Sequence, residues 1–143
     1  MSDLNEVLGQ VTEEVLEHMF FSGVAGEPEA PAAGERLCAM VTFSGSSNGE
    51  LGVSMPPATA ATLAAAFLGS DDEAVDSQIR AVAGEIANVV CGVVLARMNP
   101  DGQFSISSPA VMIGDDTEAV GSRDVRRHFE IIEGDLSVGL TVH

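Results

Sequence analysis

The sequence predicts an α+β fold, a two-layer domain in which an antiparallel-rich sheet packs against long helices. Three observations carry this. Apolar residues recur at helical spacing over residues 4–22 and again in a long segment ending near Met98. They alternate at strand spacing in 37–45, 50–55 and 136–142. The connections between the late strands are too short for parallel crossovers, so their pairings are expected to be antiparallel. At 143 residues the chain holds one domain's worth of core, and 1–143 is read as a single domain.

Taken in order, Leu4, Val7, Leu8, Val11, Val15, Leu16 and Met19 mark an amphipathic helix, with Glu13, Glu14 and Glu17 facing water. The stretch VAGEPEAPAAGE that follows reads as a surface connection. Leu37, Val41 and Phe43 share one face of a first strand, and Leu51, Val53 and Met55 one face of a second. Asn48-Gly49 lies between them, residues that tolerate positive φ, so a hairpin is expected. Pro57 and Gly69 bracket a short Ala-rich helix, the one fixing φ at its start and the other suiting a left-handed residue past its end. Ser70-Asp71-Asp72-Glu73 has the form of a capping box ahead of the long helix, which Asn99-Pro100 stops. The last third reads as strands in QFSIS, PAVMIG, RRHFEII and LSVGLTV, the final pair joined at Glu133-Gly134-Asp135. GDDTEAVGSR, between Gly114 and Arg123, reads as a solvated acidic loop.

Composition narrows the function. The formal net charge is -16, with only 6 basic residues, which argues against nucleic-acid partners and against an anionic membrane surface. The polar, acidic start is no signal peptide, and no apolar run of about 18 residues is read as a membrane span. Cys38 and Cys91 sit in apolar segments without a Cys-x-x-Cys spacing; buried free thiols in a reducing, cytoplasmic setting are expected.

On the long helix, Ile79, Val82, Ile86, Val89 and Val93 form a stripe expected to pack on the sheet. A different stripe collects Ala81, Glu85, Asn88 and Gly92, with Gly84 and Cys91 beside it. Glu85 and Asn88 are thus neighbours among residues with almost no side chain. A helical Gly costs roughly 1 kcal/mol relative to Ala, so Gly84 and Gly92 imply close approach by another surface. Two readings follow: the pair satisfies buried groups within its own chain, or the bare ridge meets a partner.

The segment Gly84-Glu85-Ile86-Ala87-Asn88-Val89-Val90-Cys91-Gly92 resembles the Glu-x-x-Asn helix of the CheC, CheX and FliY chemotaxis phosphatases. Phe43-Ser44-Gly45, Asn48-Gly49-Glu50, residues 51–55 and the Ala-rich residues 60–69 resemble the hairpin and helix that precede that motif in CheX-like domains. The first helix has Glu14 and Glu17 without an Asn, so the resemblance implies one site per chain. It implies a CheC/CheX-like fold and a phosphatase acting on the phosphorylated aspartate of a CheY-like receiver. In that reading Glu85 docks on the receiver's lysine and Asn88 positions the attacking water. Ala81, Gly84 and Gly92 let the helix enter a cleft, and Mg²⁺ belongs to the receiver, with no cofactor on this chain. The family often has Asp or Ser where Ala81 stands. That departure leaves a non-catalytic receiver-binding or scaffold module as the alternative, and a helix that simply packs in the core as a third. A homodimer formed by edge pairing of strand 136–142 is also compatible with its alternation.

Other chemistry is weaker. His18 follows Glu14 at a spacing that could ligate a metal but reads as solvated; His128 and His143 lack partners for nucleophilic catalysis. The serines of 44–47 lack a Gly-x-Ser-x-Gly elbow, and Asp115, Asp116 and Glu118 lack an EF-hand's spacing. Arg123, Arg126 and Arg127 are too few to outweigh the surrounding acidity.

Overall fold

The computed structural model describes residues 3–20, 22–31, 33–69, 74–115 and 117–143, with the backbone only at Glu118. Among these residues, helices α1 (Leu4–Phe20), α2 (Pro57–Leu68) and α3 (Asp76–Met98) pack on one face of a seven-stranded sheet. The strands are β1 (Val24–Gly26), β2 (Arg36–Gly45), β3 (Gly49–Met55), β4 (Phe104–Ile106), β5 (Ala110–Gly114), β6 (Val125–Ile131) and β7 (Gly134–Val142). Their order is β1-β6-β7-β3-β2, and the far edge of β2 carries both β5, along residues 36–40, and β4, along 43–45. Every pairing is antiparallel, and the α+β two-layer expectation holds.

Period-two alternation explains the core. Leu37, Ala39, Val41 and Phe43 on β2, Leu51, Val53 and Met55 on β3, and Leu136, Val138 and Leu140 on β7 point to the helices and are buried. α1 adds Val7, Leu8, Val11, Val15, Leu16 and Phe20. Pro57 starts α2, and Gly69 closes it in the left-handed conformation, φ 64°, with its N–H donated to carbonyls of the last turn.

Several local expectations shift. The β2–β3 connection is longer than a two-residue turn: Gly49 already pairs with Phe43, and the positive φ belongs to Gly45, whose N–H donates to Asn48 Oδ1 at 3.3 Å. β1, within the segment read as a surface connection, pairs with β6. The proposed capping box at 70–73 lies outside the described residues; the described helix begins at Asp76, where Gln78 Oε1 accepts the Val75 N–H at 2.9 Å. β7 lies between β6 and β3, so strand 136–142 has no free edge with which to pair a second copy.

The acidic loop is also more than solvated chain. Thr117–Gly121 forms a π-helical turn that buries Ala119 and Val120 beside Cys38 on the sheet face away from the helices. It lies over the paired Gly52 and Gly139: a Cβ at Gly52 would come within 2.6 Å of the Ala119 carbonyl carbon, and one at Gly139 within 3.0 Å of Val120 Cα. Asp115 Oδ1 accepts the Thr117 N–H at 2.9 Å, which holds its carboxyl below the ordinary range. Nearby on this face Arg36 is buried, its Nη1 donating to both carboxylate oxygens of Asp135 at 3.0 and 3.1 Å and its Nε to Ser54 Oγ at 3.0 Å.

Candidate active site

α3 is the helix that matters. Its buried residues are Val82, Ala83, Gly84, Ile86, Ala87, Val90, Cys91, Val94 and Leu95, while Ile79, Val89 and Val93 pack only partly against the core. The buried face is therefore rotated from the predicted stripe and covers more than half of the helix, because alanine and glycine allow close packing on β2 and on α1 and α2. That burial also corrects the view that no segment could span a bilayer. α3 is long and apolar enough to cross a membrane by length and composition, and half of its apolar window is spent in the core. Cys91, on the buried side, is a free thiol that burial pushes up to about 12.

Opposite this face lie Ala81 and Glu85, exposed, and Asn88 and Gly92, half-buried. At about 100° per residue these four occupy one narrow strip. Neither the Glu85 nor the Asn88 side chain has a hydrogen bond or an ion pair with any described residue. The arginines on the same helix are engaged elsewhere: Arg80 with Asp76 at 3.0 Å, Arg97 with Glu14 on α1. The Arg97 guanidinium holds the Glu14 carboxyl below its usual range. An unpaired carboxylate beside an unpaired carboxamide offers a cation acceptor next to a group that both donates to and accepts from water.

The glycines divide. Gly84, expected on the partner-facing ridge, is instead buried: a Cβ there would lie 3.0 Å from Pro109 Cβ and 3.2 Å from its Cγ, so the chain's own β4–β5 connection fills that space. Gly92 is looser, with only Ile106 Cδ1, at 3.9 Å, near its Cβ position. Ala81 and Glu85 border an open groove of about 300 Å³, walled across from α3 by Phe67 and Leu68 at the end of α2. Sequence reasoning passed over those two residues, although a pair of large apolar side chains directly before the capping Gly69 was a usable signal.

The histidines are accounted for elsewhere. His18 is exposed while Glu14 pairs with Arg97; His128 Nδ1 is 2.7 Å from Ser137 Oγ; His143 Nε2 is 2.9 Å from a Glu50 carboxylate oxygen. Among the described residues no group of three or more His, Cys, Asp or Glu side chains could hold a metal.

No curated protein matches the sequence significantly. Solved structures do match in fold. The chemotaxis protein CheX of Desulfovibrio desulfuricans is 18% identical with a TM-score of 0.73, over 98% of this chain and 99% of that one. The Borrelia burgdorferi CheX–CheY–BeF3–Mg²⁺ complex matches at 17% identity and a TM-score of 0.74, over 99% and 98%. FliY of Thermotoga maritima matches at 15% and 0.62, over 99% and 90%. The family model described as "Chemotaxis phosphatase CheX" matches residues 37–130, which contain the hairpin, α2 and the whole of α3. With that match spanning more than half of the chain, the protein belongs to the CheX chemotaxis phosphatase family.

Proposed function

We propose that the chain hydrolyses the aspartyl phosphate of a CheY-like receiver domain, with Glu85 and Asn88 as the residues that act. The observation that carries this is the exposed strip of α3, where a carboxylate and a carboxamide one turn apart have no side-chain partner among the described residues. A membership shared with chemotaxis phosphatases, and the likeness to a CheX that binds CheY, support the substrate class.

Hydrolysis of an acyl phosphate needs an in-line water and little covalent help from the catalyst. Asn88 orients that water toward phosphorus through its amide, so that water oxygen bonds to phosphorus as the aspartate carboxylate leaves. Glu85 pairs with the lysine of the receiver's own site and sets the register of the helix in the cleft. Ala81 and Gly92 keep the strip low enough to enter. Mg²⁺ is supplied by the receiver, which is where its charge is needed. A cytoplasmic location follows from that substrate.

Ala81 favours a second reading, because a methyl group stands where related helices often carry Asp or Ser. In that reading the chain binds receivers without turning them over. Phosphate release from a phosphorylated receiver separates the two. The proposal requires release by the wild type, loss of turnover in Asn88→Ala, and weaker receiver binding in Glu85→Ala. Wild-type turnover in Asn88→Ala removes the role given to Asn88.

A further inference from the structure

We infer that the groove between α2 and α3 takes an apolar side chain of the phosphorylated receiver, and so helps to choose which receivers the helix accepts. This rests on the function proposed above. The groove, about 300 Å³, is lined by Phe67, Leu68, Gln78, Ala81, Val82 and Glu85. That volume is at the small end of the roughly 300–1,000 Å³ of ligand sites, a size that suits an inserted side chain.

Three features together mark it, the first of them shared with Met112 and Ile113 on β5, each 44% exposed. Phe67 and Leu68 are adjacent and 43% and 44% exposed on a chain of net charge -16, where large apolar surface calls for a reason. The wall is fixed, since the Phe67 ring packs on Phe20 with centroids 5.6 Å apart. The groove is also continuous with the docking strip, because Glu85 belongs to both. Ala81 is one turn away, about 6 Å along the helix axis.

Continuity decides the chemistry of the occupant. A receiver that sets its lysine on Glu85 brings a neighbouring residue over Ala81. An acidic side chain there meets the Glu85 carboxylate, and among the described lining residues a second cation finds no further counter-charge. An aliphatic or aromatic side chain instead leaves water against Phe67, Leu68 and Val82. The methyl group of Ala81 keeps the entrance open.

The test uses a CheY-like receiver that the wild type dephosphorylates, loaded with beryllium fluoride and Mg²⁺ for binding and phosphorylated for turnover. Phe67→Ser and Leu68→Ser each remove part of one wall; both side chains are exposed, and melting curves check that each variant is folded. Each is expected to bind the receiver about 10- to 100-fold more weakly, the free-energy equivalent of one buried apolar side chain. The loss should appear in KM, in contrast to Asn88→Ala, which loses kcat. Wild-type affinity in both variants overturns the groove's role and leaves the phosphatase proposal standing. Self-association that disappears in Leu68→Ser while receiver binding stays normal assigns the groove to a second copy and also overturns it. A wild type that neither binds receivers nor releases phosphate overturns the function itself, and the groove's occupant with it.

Discussion

Replacing Asn88 by Ala should separate stability from activity. Asn88 is half-buried on α3 and its side chain makes no hydrogen bond with a described residue, so its removal leaves no donor or acceptor orphaned among them. Ala is the better helix former by up to about 0.7 kcal/mol, and the small contact area lost offsets part of that gain. Unfolding entropy of about 2.1 cal/mol/K per residue, taken over the chain, comes to roughly 0.3 kcal/mol/K. The melting temperature should therefore stay level or rise by up to about 2 °C. Turnover should fall at least about 100-fold, some 2.7 kcal/mol of barrier, which is the scale of misplacing a reactant by about 1 Å. Calorimetry and phosphate release on the same preparations measure both. A melting temperature several degrees lower would show that Asn88 holds the fold together, and turnover within a few-fold of wild type would show that no water is placed by it.

Three further outcomes test the surroundings. Asp135→Asn removes the Asp135 charge from the buried Arg36 guanidinium and keeps its bonds to Ser54. The cost should be about 3 kcal/mol, seen as a urea midpoint lower by about 1–2 M, and a shift under about 0.3 M would refute it. Gly84→Leu must displace the β4–β5 connection at Pro109, so about 1–3 kcal/mol of stability and part of the receiver affinity should be lost together; wild-type values for both would show that the contact yields freely. Cys91 gives a pH signature. Its thiol is pushed by burial from 9.0 to about 12, so between those values the native state holds a proton that the unfolded chain has lost. Stability therefore falls as pH rises through that window, by about 1.4 kcal/mol per unit for this group. The chain has no tyrosine and no lysine, so its two cysteines are the side chains that titrate in this window, and Cys91→Ala leaves Cys38 in place. Cys91→Ala should flatten the decline in urea midpoints, and an unchanged slope would refute the assignment.

Much of the fold was legible because alternation and helical spacing are local and strong. β2, β3 and β7 declare their inward faces residue by residue, and Pro57 with Gly69 delimits α2 through backbone geometry alone. The pairing order was not, since nothing in 136–142 says that both neighbours exist; the alternation that marks a strand reads the same in the middle of a sheet as at its edge. β1 escaped because three residues among Gly, Ala and Pro carry too little pattern. The π turn escaped because its acidic ends hide the two apolar residues that anchor it. At the site, Glu85 and Asn88 stood out as polar residues on an apolar helix. The fate of Gly84 depended on Pro109, 25 positions later in sequence, and the groove depended on where α2 ends beside α3. Contacts of that kind are written in the tertiary arrangement, beyond the reach of periodicity.

The seat of Gly84 on Pro109 has a mechanical meaning. The connection that runs from β4 to β5 is held at both ends by pairing with one long strand, β2, and its Pro109 packs against the flank of α3 at Gly84. Gly84 is the residue next to Glu85, so the brace supports the helix directly beside the strip. In the proposed encounter the receiver's pocket meets a strip that its own chain buttresses from the side.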